Sequence, residues 1–333
     1  MQTEISQIDG RSLAKARKLL LAGELVAFPT ETVYGLGADA RSDKAVESIY
    51  RVKGRPSDNP LIVHVHKDFD ISRLVEDEQP YAALLRKEFL PGPLTLVYKS
   101  KGAVSKKVSC GLNTLAIRVP SHSGAQEFLA YVDMPVAAPS ANRSKHVSPV
   151  SAQHVFDDLN GKIPLILDGG ICSGGIESTV CDVTDENPVV LRQGLISREM
   201  IAEVAGSCGM YVPKEGEQVR SPGMKYRHYA PACRTSLFEA DETERALRCF
   251  QEHEQRQERT YILCENNISE LFPAERTLCL GDTAEEMASN LYRLLRLAEK
   301  KADFLIAVKP RGRGGVMDGV LNRLSKACGG EER

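Results

Sequence analysis

The residues best suited to chemistry in this 333-residue chain begin between Phe28 and His64. Pro29-Thr30-Glu31-Thr32 follows a short apolar run and carries two hydroxyls and a carboxylate into a turn. Tyr34-Gly35-Leu36-Gly37 adds two glycines, which permit positive φ or close backbone approach to a ligand. Lys53-Gly54-Arg55-Pro56-Ser57-Asp58-Asn59-Pro60 then sets two cations on a proline-stiffened loop. The loop leads into an apolar strand on which His64 and His66 share a face. Cations on a rigid loop suit a polyanion such as a nucleotide triphosphate. Other polar groups fall at strand ends further along: Arg118 before Pro120, Ser140-Ala141-Asn142 after the run Met134–Pro139, and Arg192-Gln193-Gly194 after Val189–Leu191. Ser173-Gly174-Gly175-Ile176-Glu177-Ser178-Thr179-Val180 is glycine-rich, then polar, before another strand. Ligands gather at strand ends in open α/β sheets. This inventory suits a polyanion together with a small zwitterion, and catalysis by positioning and charge stabilisation rather than by a side-chain nucleophile.

Other chemistries lack their signatures. There is no G-x-x-x-x-G-K-S/T loop, no G-x-G-x-x-G fingerprint and no G-x-S-x-G elbow. No Asp, Glu or His set has metal-site spacing; His64 and His66 could both face one pocket, but such a pair reads as structural. The nine cysteines are scattered without a C-x-x-C pair, as thiols in a reducing compartment are. The N-terminus has no apolar leader and no stretch approaches 18 apolar residues, so a cytoplasmic protein without a membrane span is expected. A net charge of −2 argues against a dedicated nucleic-acid-binding domain. Lys99, Lys101, Lys106 and Lys107 read first as a solvated loop and second as a weak RNA contact.

Positioning these groups requires alternating strands and helices. Helical spacing predicts Ser12–Ala22, a helix capped by Ser42 and ending at Lys53, Pro80–Phe89, Ser151–Leu159 and Ser197–Ala205. Strands are predicted at Leu25–Phe28, Leu61–Val65, Leu94–Tyr98, Thr114–Val119, Met134–Pro139, Pro164–Leu167 and Val189–Leu191. Residues 1–205 read as one domain, 206–232 as a linker, and 233–333 as a second α/β unit. In the latter, strands Thr235–Phe238, Tyr261–Cys264, Thr277–Leu280 and Phe304–Val308 alternate with helices Glu242–Glu258, Thr283–Lys300 and Val316–Cys328, implying a small, mostly parallel sheet. Gly312 to Gly315 reads as a turn before the last helix.

The motifs PTETVYGLG, KGRPSDNPLIVH, PGPLT, TLAIRVP, APSAN, GGIESTV and VLRQG, in this order, strongly resemble those of YrdC-type threonylcarbamoyl-AMP synthases. SPGMKYRHYAP and the unit after it are similar to the two-domain members, and the resemblance covers essentially the whole chain. It implies an α/β fold, a twisted mixed sheet of the YrdC type followed by a smaller Rossmann-like domain. It also implies formation of threonylcarbamoyl-AMP and pyrophosphate from L-threonine, bicarbonate or CO2, and ATP, with Mg2+ held by the ATP phosphates. The product would pass to a threonylcarbamoyl transferase complex acting on tRNAs that read codons starting with A. By this resemblance threonine sits near Thr32, His64, Arg118, the backbone at Ala138, and Ser178. ATP would lie against Lys53, Arg55, Asn59, Thr114, Ser140, Asn142, Ser148 and Arg192, with Tyr226, Arg227 or His228 as a flap from the linker. Lys53 and Arg55 are the expected catalytic residues. The competing readings are a double-stranded-RNA-binding protein without catalysis and a carbamoyl-adenylating enzyme related to hydrogenase-maturation proteins, whose zinc-finger and acylphosphatase-like regions have no counterpart here.

Overall fold

The computed structural model describes residues 2–212 and 229–329; Tyr226, Arg227 and His228 lie outside the described residues. The chain enters through β1 (Glu4–Gln7) and α1 (Gly10–Leu21), where Asp9 and Ser12 cap each other reciprocally. After β2 (Val26–Phe28) and β3 (Gly35–Asp39) comes α2 (Asp43–Lys53). Ser42 caps α2, and Gly54 ends it in the left-handed region at φ 61°. That turn separates Lys53, on the helix, from Arg55, on the loop. The unit continues with β4 (Ile62–His64), α3 (Pro80–Phe89), β5 (Leu94–Lys99) and β6 (Thr114–Arg118). Then follow α4 (Ser123–Val132), β7 (Val136–Ala137), α5 (Ala152–Leu159) and β8 (Leu165–Asp168). It closes with β9 (Thr179–Asp182), β10 (Val189–Arg192), α6 (Arg198–Ala205) and β11 (Gly209–Met210).

These strands form one mixed sheet in the order β1-β8-β2-β3-β7-β4-β6-β5-β9-β10-β11. Its register does the positioning. Parallel pairing of β4 with β6 sets His64 opposite Arg118, and antiparallel pairing with β7 sets His64 opposite Val136. Antiparallel β5 and β6 set Thr95 opposite Arg118, and β5 runs parallel to β9, with Leu94 opposite Thr179. The polar strand ends therefore line up at one place. Side chains alternate across the sheet: Leu115 and Ile117 join the main core, while Ala116 lies on the other face with Ile62, Val97, Val180 and Leu191. A separate layer packs Leu13, Leu20, Phe128 and Leu129 of α1 and α4 on Val26, Phe28 and Leu165.

The second unit contains β12 (Arg234–Phe238), α7 (Thr243–Gln255), β13 (Thr260–Cys264) and β14 (Thr277–Cys279). It ends with α8 (Ala284–Lys301), β15 (Phe304–Val308) and α9 (Gly315–Cys328). Its four strands are all parallel, in the order β12-β15-β13-β14. One continuous apolar cluster includes residues of both units, among them Ile176, Leu291 and Tyr292.

Some expectations change. Gly35 and Gly37 belong to a strand, not a loop: a Cβ on Gly35, which lines the cleft, would come within 3.1 Å of Phe28 Cζ, and one on Gly37 within 2.9 Å of Val136 Cγ1. Their smallness serves packing. His64 and His66 do not share a pocket, because β4 ends at His64 and His66 turns out to meet Asp133 at 3.2 Å. α4, with Ala125, Phe128, Leu129 and Val132 buried at helical spacing, fills a stretch left unassigned above. The segment read as linker begins as a sheet-edge strand, Gly209 pairing with Val189. Of the four lysines, Lys107 pairs with Glu47, and Lys101 donates to the Ser72 carbonyl at 2.9 Å.

Candidate active site

The lined-up strand ends wall a cleft whose empty space, open solvent at its mouth included, is about 730 Å³. One side carries groups that suit a small zwitterion. Arg118 ends β6 buried, its Nη2 2.8 Å from Glu31 Oε1. The charges are adjacent but misaligned, and neither Glu31 oxygen nor Arg118 Nε and Nη2 has a hydrogen bond among the described residues. A buried guanidinium with unused donors is a ready partner for a ligand carboxylate. His64 ends β4 beside it, edge-on to Phe28 at 5.7 Å. Burial, then the neighbouring Arg118, pushes the His64 pKa down to about 3, so the ring is neutral. Its Nδ1 lies 3.2 Å from the Ile62 carbonyl. A neutral ring must carry its proton on Nδ1 to donate there, which leaves Nε2 as an acceptor. Ser178 Oγ is 2.8 Å from Thr95 Oγ1, and Ala138 adds backbone to the wall.

The other side is cationic. Lys53 Nζ donates to the carbonyls of Ser140 and, at 2.6 Å, Asn142. Ser140 Oγ in turn donates to Asn142 Oδ1 at 2.5 Å. Burial, reinforced by Arg55, holds the Lys53 pKa well below its ordinary value. Arg55 donates weakly to the Asn59 and Pro60 carbonyls at 3.3 and 3.4 Å, and burial lowers its pKa as well. Arg192 is buried at the end of β10, its guanidinium donating to the Ser178 carbonyl at 3.0 Å. Three desolvated cations lining one cleft are costly without an anion, as expected where a polyanion binds.

Between the two sides lies Glu177. It accepts from Ser148 Oγ at 2.7 Å, from the Tyr292 hydroxyl at 2.9 Å and from Arg323 Nε at 3.0 Å. Burial alone would raise its pKa; Arg323 and then Arg192 outweigh this and bring it down to about 2. Tyr292 belongs to α8 and Arg323 to α9, so the second unit backs the cleft wall through Glu177 without lining it. Tyr229 also lines the cleft, stacked on Tyr292 with ring centroids 5.3 Å apart.

The cleft thus brings together Lys53, Arg55, His64, Arg118, Ala138, Ser140, Asn142, Ser148, Ser178 and Arg192. Thr32 is one step behind the wall, its hydroxyl 2.9 Å from that of Thr30, which does line it. Asn59 is buried just outside the lining, and its amide has no hydrogen-bond partner among the described residues. Thr114 shares a face of β6 with Arg118 but lies four residues, ~13 Å, along the strand and is not in the lining. Glu31, Glu177 and Tyr229 carry no assignment in the sequence reading; each is in a quoted motif, but only its distant partners reveal its part. No cluster of three His, Cys, Asp or Glu side chains that could hold a metal occurs among the described residues, and no described helix is long and apolar enough to cross a membrane.

Residues 18–194 match the Sua5/YciO/YrdC family described as "Telomere recombination", and residues 196–329 match the family described as "Threonylcarbamoyl-AMP synthase, C-terminal domain". The threonylcarbamoyl-AMP synthase of Bacillus subtilis (strain 168) is 43% identical over 326 residues, covering 96% of this chain and 93% of the relative. That of Pyrococcus abyssi is 40% identical over 313 residues, covering 92% and 91%. The crystal structure of P. abyssi Sua5 complexed with L-threonine superposes with a TM-score of 0.89 at 37% identity, covering 98% of this chain and 97% of that one. With both family matches consecutive and relatives similar along nearly the full length, this chain belongs to the two-domain threonylcarbamoyl-AMP synthase family.

Proposed function

We propose that the cleft joins L-threonine, bicarbonate or CO2, and ATP into threonylcarbamoyl-AMP with release of pyrophosphate. The observation that carries this reading is that one cleft has a carboxylate-seeking arginine with an acceptor histidine on one side and three buried cations on the other. Arg118 takes the threonine carboxylate, while His64 Nε2 and Ser178 are within the same wall for its hydroxyl and amine. Lys53, Arg55 and Arg192 receive the triphosphate. The amine of threonine adds to CO2, losing a proton, and the resulting N-carboxylate attacks the α-phosphorus of ATP. The bond to the β-phosphate bridging oxygen breaks, and pyrophosphate leaves with its charge met by the cationic wall.

Mg2+ accompanies ATP in this reading and supplies further charge neutralisation to the triphosphate. Glu177, the carboxylate in the lining, is already engaged by Ser148, Tyr292 and Arg323, which suits a metal carried by phosphate oxygens. The adenylate passes, in the cytoplasm, to a transferase complex that modifies tRNA. The test is pyrophosphate release by the full chain from Mg2+-ATP. Release that requires both threonine and bicarbonate is expected. Release independent of threonine, or none, would overturn the reading.

A further inference from the structure

Arg323 heads the fully buried side chains by volume, with 1% of its surface exposed. A guanidinium that deep is costly unless it is paired, and apart from a long 3.4 Å contact to Asn322 beside it on α9, its polar contacts go to cleft-forming segments of the first unit. Nε donates to Glu177 at 3.0 Å, Nη1 donates to the Gln193 carbonyl at 2.7 Å, and the guanidinium lies 5.9 Å from the Tyr229 ring centroid. Gln193 follows Arg192 directly. Tyr292 reinforces the arrangement by donating to both Glu177 oxygens at 2.9 and 3.1 Å. Of the cations within electrostatic reach of Glu177, Arg323 of the second unit acts most strongly and Arg192 of the cleft next, with Lys326 of α9 also near enough to feel the carboxylate.

We propose that Arg323, supported by Tyr292, is a positioning residue of the nucleotide subsite: it holds the Glu177 carboxylate so that Glu177 does not capture Arg192, which stays on Ser178 to meet a polyphosphate. Without Arg323, the buried carboxylate turns to Arg192, the next strongest of its cations, and the phosphates lose Arg192 as a partner. The amino-acid side is centred on Arg118 and Glu31, away from Arg323, and is linked to Arg192 only through Ser178, whose hydroxyl Thr95 also holds, so its affinity changes far less. The C-terminal unit thereby acts on the reaction through a salt bridge and a hydrogen bond, without touching substrate.

This inference rests on the cleft binding ATP as proposed above. Its test measures dissociation constants of Mg2+-ATP and of L-threonine for the full chain and three variants. Arg323→Met is expected to weaken ATP about tenfold or more, the scale of losing one charge-assisted contact, with threonine binding changed less than twofold. The double variant Arg323→Met with Glu177→Gln removes the stranded carboxylate, and recovery to within about threefold of the wild-type ATP constant is expected. Arg323→Lys keeps the charge but not the fork and falls between. Unchanged ATP affinity in Arg323→Met overturns the inference. So does an equal loss for both ligands, or a double variant no better than the single one, because a merely structural role predicts those results. Thermal melts of each variant show which remain folded, and the double variant decides where the single one does not. Wild-type protein that binds ATP yet releases no pyrophosphate counts against the synthase reading alone; wild-type protein that does not bind ATP sinks both.

Discussion

Arg118→Met separates what Arg118 does for the fold from what it does for the substrate. Methionine keeps part of the aliphatic stem and removes the guanidinium, which strands the Glu31 carboxylate. Both side chains are nearly enclosed, with 4% and 11% of their surfaces exposed, and they meet at 2.8 Å. Removing one partner of a buried pair costs ~3–5 kcal/mol. Neither Glu31 oxygen is hydrogen-bonded in the pair, so ~3 kcal/mol, the lower end, is expected. The binding loss is a different quantity. A hydrogen bond to a charged group contributes ~1.5–3 kcal/mol, so losing the carboxylate partner should raise the threonine KM roughly 10- to 150-fold. Adding Glu31→Gln removes the stranded charge. The double variant should therefore regain most of the stability and none of the threonine affinity. Urea unfolding midpoints read the first, and pyrophosphate release against threonine concentration reads the second. Two results would refute the reasoning: a threonine KM within twofold of wild type in Arg118→Met, or a double variant that recovers the KM. The latter would mean that Arg118 serves only to neutralise Glu31.

On the nucleotide side, Lys53→Ala or Arg55→Ala should cut pyrophosphate release at least ~100-fold, the scale of one charge-stabilising donor; near-normal turnover in either would remove them from the chemistry. His64, with its pKa pushed down to about 3, stays neutral from pH 5 to 8, and its imidazole NMR signals should not titrate in that range. Because the unfolded chain takes up that proton near the ordinary histidine pKa of ~6.5 and the folded one does not, His64 should make stability fall as pH drops below that value. An imidazole inflection near 6.5 would contradict the burial argument. Gly175→Ala tests the docking of the two units. Gly175 has φ +71°, and a Cβ there would strike the Ala288 carbonyl and lie within 2.5 Å of Ser289 Cα on α8. Both obstacles are backbone, so a loss of more than ~1 kcal/mol is expected from the left-handed φ alone, with the clash adding to it. A wild-type melting curve would show that α8 can back away at little cost.

Much of the cleft was legible in the sequence because strand ends are legible. Apolar runs ending in Arg118, Ser140-Ala141-Asn142 and Arg192 identify the polar groups, but that they meet depends on strand order and direction, since β7 runs antiparallel to β4 while β6 runs parallel to it. The alternation rule failed at His66 because it holds only while the strand continues, and β4 stops one residue after Val63. The glycines of YGLG were only half legible for a related reason, since Gly35 lines the cleft while Gly37 serves packing. Smallness is visible in sequence, but whether a ligand or Phe28 fills the space beside it is not.

Charge partnerships were the least legible part, because a carboxylate carries no local mark of its partner. Glu177 finds Tyr292 and Arg323 at sequence separations of 115 and 146 residues. One signal was nevertheless present in α8. Met287, Leu291, Leu294 and Leu295 account for the face of an ordinary amphipathic helix, but Ala288, Tyr292 and Arg296 recur every four residues beside them and are buried too. A second stripe mixing small, aromatic and cationic residues implies a second buried face with polar work to do. It meets the first unit through Glu177 and through Asp158, which Arg296 engages at 2.7 and 3.1 Å. Apolar residues of similar volume would hold such an interface as firmly or more so, so stability alone does not account for burying these charges. The positioning role proposed for Arg323 would account for it: a carboxylate fixed from α8 and α9 would orient the cleft wall, and the angle between the units would then bear on ligand binding and not on stability alone.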